Sequence, residues 1–181
     1  ATSSAPATRD SAAIAHVVEM AAALPALRSL LVQQRDTLLV ERYVHGAAPD
    51  RLANLKSASK SVLSAVIGIA IAEGRIAGTD QPLAALLPDA TRGLDPAKRA
   101  ITVGDLLSMR SGLESTSFDG YGRWVSSRNW VQAALARPLV APPGHDGGPM
   151  IYSTGNSHVL SAAVTRATRS STHAYAARVL A

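Results

Sequence analysis

The chain has 181 residues, of which 47% are apolar and 17% charged, with a formal net charge of +5 and no cysteine. This is a globular composition long enough for a sizeable core, and the absence of cysteine excludes disulfides, thiolate metal sites and a cysteine nucleophile. The longest apolar run, Val62 to Ala72, is too short to cross a bilayer and contains Ser64 and Gly68, so no membrane span is expected.

In chain order, the small and polar stretch up to about residue 11 reads as a flexible lead-in. Its lack of an initiator Met points to a mature exported chain, periplasmic or secreted, with a cytoplasmic one as the alternative. Ile14, Val17, Val18, Ala21 and Leu24 recur at helical spacing until Pro25. LRSLLVQQ and DTLLVERYV flank a polar turn at Arg35-Asp36 and predict an antiparallel hairpin. The run from Ser59 to Glu73 is apolar on nearly all sides and closed by Gly74, which predicts a buried helix.

Beyond Pro82, short helical pieces are expected. ITVGDLLSMRSGL has Thr102 placed to cap it and Gly112 to end it; NWVQAALARPL, SHVLSAAVTRAT and THAYAARVLA follow. The boundaries so read are a lead-in over 1–11, an N-terminal α/β part over 12–78 and a helical subdomain over 79–181. Two strands against five or six helices leave a marginal sheet that wants further strands.

The charge comes from 15 Arg and 3 Lys, and the arginines are scattered singly with no interleaved aromatics. That pattern fits solvated side chains, and no nucleic-acid partner is expected. The five histidines form no metal-like cluster, and no phosphate-binding glycine loop or Gly-x-Ser-x-Gly elbow occurs, so neither metal nor cofactor is expected.

Ser57-Ala58-Ser59-Lys60 stands at the mouth of the apolar helix. Three residues apart on a helix, Ser57 and Lys60 share a face, and an amine held against an apolar surface is a candidate acceptor for the serine proton. The competing reading makes Ser57 a helix cap and Lys60 a surface charge.

Three stretches, LKSASKSVLSAVIGIAIAEGRI, ITVGDLLSMRSGL and PPGHDGGPMIYSTGNSHVLSAAVTRAT, resemble successive blocks of the serine β-lactamase and DD-peptidase-like hydrolases. The likeness is to the branch that holds class C β-lactamases and related esterases and amidases. It implies an α+β fold, an antiparallel sheet flanked by helices with a helical subdomain that brings Tyr152 over Ser57. It implies Ser57 as the acylated nucleophile, and Lys60 and Tyr152 as the groups that move its proton. A phenol is a poor base near neutrality, and a neighbouring ammonium would lower its pKa. Which of the two is the base stays open.

Thr154 stands where class C enzymes carry an asparagine that holds substrate, which favours an ester or amide over a β-lactam. Trp124 and Trp130 are candidates for a pocket wall or for helix packing. His145, in the Gly/Pro loop before Tyr152, is a candidate for the pocket lining or a surface loop.

The family's third motif, a Lys- or His-initiated triplet on a late strand, is absent, and Arg110-Ser111-Gly112 only imitates it. The expectation is therefore the N-terminal half of the catalytic domain, with the returning strands supplied by a second chain or a missing half. The alternative function is a non-catalytic fragment or a penicillin-sensing module of the same fold.

Overall fold

The computed structural model describes residues 11–144 and 147–180, in two compact units, residues 1–54 and 55–181. Most of the lead-in, and His145 with it, falls outside the described residues.

In the first unit, helix α1 (Ser11–Ala22) precedes a hairpin of β1 (Ser29–Gln34) and β2 (Thr37–Tyr43). The strands pair antiparallel with Val32 opposite Val40, and a bulge after Val32 shifts the register so that Gln33 faces Leu38. The expected turn is at Arg35-Asp36, where Arg35 takes φ +52°. Alternation sends Val32 and Val40 to the same face, where they line an apolar cleft with Ile14 and Val17 of α1. This pair is the one sheet among the described residues.

The second unit is helical and holds a contiguous core. Its longer helices are α2 (Ser59–Ala72), α9 (Thr154–Thr168) and α10 (Thr172–Leu180). Between them lie short pieces: α3 (Leu83–Leu86), α4 (Pro88–Thr91), α5 (Pro96–Ala100), α6 (Val103–Leu107), α7 (Tyr121–Val125) and α8 (Trp130–Leu135). Pro88 and Pro96 open their helices, where the missing N–H costs nothing. Helix α9 packs against α2, α3, α6, α8 and α10, so Val159, Leu160, Ala163 and Val164 are buried at the centre of the unit. Lys98 is buried too, its ammonium donating to the Leu135 carbonyl at the end of α8. No described helix is long and apolar enough to cross a membrane.

Two expectations need correction. Helix α2 is not buried all round: Val66, Ile67 and Ala70 are buried, whereas Val62 is 41% exposed and Ser61, Ser64, Ala65 and Gly68 are also exposed. Packing against α9 and α10 uses one stripe, and the small residues opposite it stay open. Gly74 does close the helix, with the Arg75 N–H returning to the Ala70 carbonyl at 2.8 Å.

The second correction concerns Gly112, which does not end the 103–107 helix. Thr102 caps it as expected, and Asp105 completes a reciprocal capping box. The helix stops at Ser108, because Met109 takes φ +59° and the Arg110 N–H bonds the Asp105 carbonyl at 2.7 Å. Gly112 serves the next segment instead. It sits at φ +71°, and a Cβ there would collide with the Ala141 carbonyl. Gly112→Ala is therefore expected to destabilise by roughly 2–5 kcal/mol, from backbone strain and overpacking together. The check is a lower urea midpoint at unchanged slope.

Candidate active site

The chain enters α2 through a single 3-10 turn, Lys56–Ala58, with Lys56 itself at φ +50°. A non-glycine residue in that region is strained, and such strain gathers where a neighbouring side chain must be aimed. Ser57 lies in this turn, exposed, one residue before the α2 cap position. Neither the turn nor α2 has a side-chain cap, so the capping role for Ser57 falls away.

Two groups converge on the Ser57 hydroxyl. The Lys60 ammonium donates to Ser57 Oγ at 3.2 Å from the first turn of α2, and the Tyr152 hydroxyl donates to the same atom at 2.7 Å. Lys60 Nζ also lies 5.3 Å from the centre of the Tyr152 ring, within cation–π range. The Tyr152 phenol is held below its ordinary value of 10.0, first by the Ser57 hydrogen bond and then by Lys60, with slight burial opposing. The sequence attributed that lowering to the ammonium; the serine contact is the larger cause.

Tyr152 is fixed through its backbone. Ser115, Thr116 and Ser117 run beside residues 152–155 and satisfy them one after another. Ser115 Oγ donates to the Tyr152 carbonyl at 2.6 Å, and the Thr116 N–H donates to Ser153 Oγ at 3.1 Å. The Thr154 N–H donates to Ser117 Oγ at 2.9 Å, and the Gly155 N–H to Thr116 Oγ1 at 2.7 Å. The first amides of α9, which have no acceptor inside the helix, thus find theirs in this loop.

Thr116 is 1% exposed, and Ser153, to which its hydroxyl also bonds, is equally buried. Thr116→Val keeps the shape but orphans the Gly155 amide, and is expected to cost about 1–3 kcal/mol. Equilibrium unfolding in urea reads that loss.

The other expected site residues divide. Thr154 begins α9, its hydroxyl paired with Ser117 Oγ at 2.9 Å. Trp124 is both core and pocket wall: it is buried in the main cluster and also lines a cleft with Lys60, Thr154, Trp130 and His158. His145 lies outside the described residues. Ser111, of the imitation triplet, is buried and donates to Asn156 Oδ1 at 3.2 Å, a structural contact.

Sequence reasoning passed over the 115–117 hydroxyls and over Phe118. That residue is 78% exposed at φ +53°, with its ring 5.9 Å from the Tyr152 ring. Three hydroxyl residues in succession were the available signal for the first. Among the described residues no group of His, Asp or Glu could hold a metal ion.

Comparison with known proteins bears on the family and the fold. No curated protein matches the chain significantly. Among solved structures, a "putative beta-lactamase" from Bacteroides dorei DSM 17855 superposes with a TM-score of 0.65 at 20% identity, covering 94% of this chain and 49% of that one. A "putative 6-aminohexanoate-dimer hydrolase" from Bacillus anthracis gives 0.68 at 15% identity, covering 92% and 46%. The chain thus spans about half the length of these structures, and shares their β-lactamase-like α+β fold over that half. The model of the family described as Beta-lactamase matches residues 14–180, and the chain belongs to that family.

Proposed function

We propose that this chain carries the acylating machinery of a serine hydrolase for ester or amide bonds. The observation that carries the reading is the convergence of Lys60 and Tyr152 on Ser57 Oγ, at 3.2 and 2.7 Å. In the resting state the phenol donates to the serine. Once Tyr152 is ionised the bond reverses, and the serine hydroxyl donates to the phenolate. Ser57 Oγ then attacks the substrate carbonyl while its proton passes to Tyr152. The C–O or C–N bond breaks, the proton leaves with the alcohol or amine, and water later releases the acid and restores Ser57.

Lys60 holds its place beside both groups, bonded to Ser57 Oγ and set over the Tyr152 ring. The Ser57 amide precedes the first bond of the 3-10 turn, made by the Ala58 N–H to the Leu55 carbonyl, and serves as one oxyanion donor. The second donor would come from the third motif, on a further segment or a second chain.

Ester and amide substrates rank ahead of β-lactams because Thr154 stands in place of asparagine and its hydroxyl is engaged by Ser117. The similarity to a protein named as a 6-aminohexanoate-dimer hydrolase, an amide-cleaving activity by its name, supports the same order. A penicillin-sensing module of the same fold is the rival. Intact-mass spectrometry after exposure to a fluorophosphonate tests the reading. One adduct mapping to Ser57 is expected, and no adduct, or one on another serine, overturns it. Turnover of several product equivalents per chain separates the enzyme from the sensor, which stops at one.

A further inference from the structure

Beside the nucleophile, an open cleft of about 380 Å³ runs between α2, the 121–130 segment and α9. Lys60, whose ammonium donates to Ser57 Oγ, is one of its lining residues. Its walls include Leu63, Tyr121, Trp124, Val125, Trp130 and His158.

Several of the polar groups in those walls are already engaged within the protein. Trp124 Nε1 donates to the Trp130 carbonyl and Trp130 Nε1 to the Val125 carbonyl, each at 2.9 Å, so neither indole has an N–H left to offer. Ser161 Oγ donates to Thr172 Oγ1 at 2.8 Å, and Thr172 Oγ1 returns a bond to the Ser161 carbonyl. Thr154 Oγ1 is paired with Ser117, and Ser59 Oγ donates to the Lys56 carbonyl. The wall contains no carboxylate.

Besides the Tyr121 and Ser157 hydroxyls, the wall offers ring surface. The His158 ring lies edge-on to both indoles, with centroids 5.7 and 5.2 Å away, and the indoles are 5.6 Å from each other. Burial also holds the imidazole below its ordinary value of 6.5, which keeps it uncharged at neutral pH. A neutral, flat group gains ring contacts here without stripping any polar atom of its partner.

From this arrangement we propose that the Trp124–Trp130–His158 cleft is a recognition subsite for a neutral aryl group of the substrate. The assignment rests on the acylation reading above for its connection to Ser57, but occupancy of the cleft does not need acylation. Selectivity would arise from the ring walls, and short unbranched acetyl-type substrates would leave the cleft empty.

The chain has two tryptophans and both line the cleft, so intrinsic emission reports occupancy directly. The experiment titrates the full chain and its Ser57→Ala variant with phenylacetamide and, separately, acetamide, following tryptophan emission. A saturable change with phenylacetamide is expected in both proteins, at an apparent Kd at least tenfold below that of acetamide. Ser157→Phe, which places a ring inside the cleft from α9, is expected to abolish the response.

Absence of a saturable change, an equal response to acetamide, or persistence in folded Ser157→Phe would each overturn the subsite. Should that variant fail to fold by circular dichroism, nuclear Overhauser contacts between the phenylacetamide ring and the Trp130 indole decide on the unmodified chain: their presence supports the subsite and their absence overturns it. Binding without fluorophosphonate labelling of Ser57 would overturn the hydrolase reading and leave the subsite standing. Labelling without binding would do the reverse.

Discussion

Replacing Ser57 by alanine is expected to abolish covalent labelling and to lower any turnover by on the order of 1,000-fold or more, since the bond-forming atom is gone. The discriminating comparison is Ser61→Ala. Both serines are exposed and only four residues apart, yet Lys60 and Tyr152 both bond Ser57 Oγ. If reactivity followed exposure alone, both serines would label. Selective loss at position 57, read by the rate of fluorophosphonate adduct formation, is the expected result, and equal labelling of Ser57→Ala and the unmodified chain would dismiss the nucleophile assignment.

Tyr152→Phe carries the second large effect. It removes one atom from a half-buried ring that stays packed near Phe118, so the fold should persist while proton transfer is lost. The expected fall in acylation rate is roughly 100- to 10,000-fold, the range for a positioned acid–base group. Its pH dependence has a definite sign. Because the phenol is held below its ordinary 10.0, the phenolate is reached at lower pH than in a free tyrosine. The acylation rate should rise with pH along a limb centred below that ordinary value, and fall as pH drops through it. In Tyr152→Phe this limb should vanish and leave a flat, low rate. A limb unchanged in the variant would assign the base role to Lys60.

Legibility in the sequence followed the range of the interactions. Local signals read well: Thr102 announced its helix cap, Gly74 its helix stop, and Arg35-Asp36 its hairpin turn, each settled within a few residues. The Ser57–Lys60 pairing is likewise a matter of one helical turn. Tyr152 came from the resemblance, because its approach to Ser57 spans 95 positions that no local pattern encodes.

The misreadings share one cause. The apolar content of α2 gave its burial on average but not which face is covered, and Gly112 looked like a stop because nothing local announced that Met109 would take the left-handed conformation first. The 115–117 loop was invisible for the same reason. Its hydroxyls have meaning only against a segment 37 to 39 residues away.

The attachment of Tyr152 to that loop is made entirely of uncharged hydroxyl, amide and carbonyl groups. Dissolved ions weaken attraction between exposed charges but leave such neutral bonds nearly untouched. Surface pairs such as Arg92–Asp89, both about four-fifths exposed, would fade in concentrated brine. The scaffold that carries the phenol would not, so the aim of Tyr152 at its serine is built to be indifferent to ionic strength.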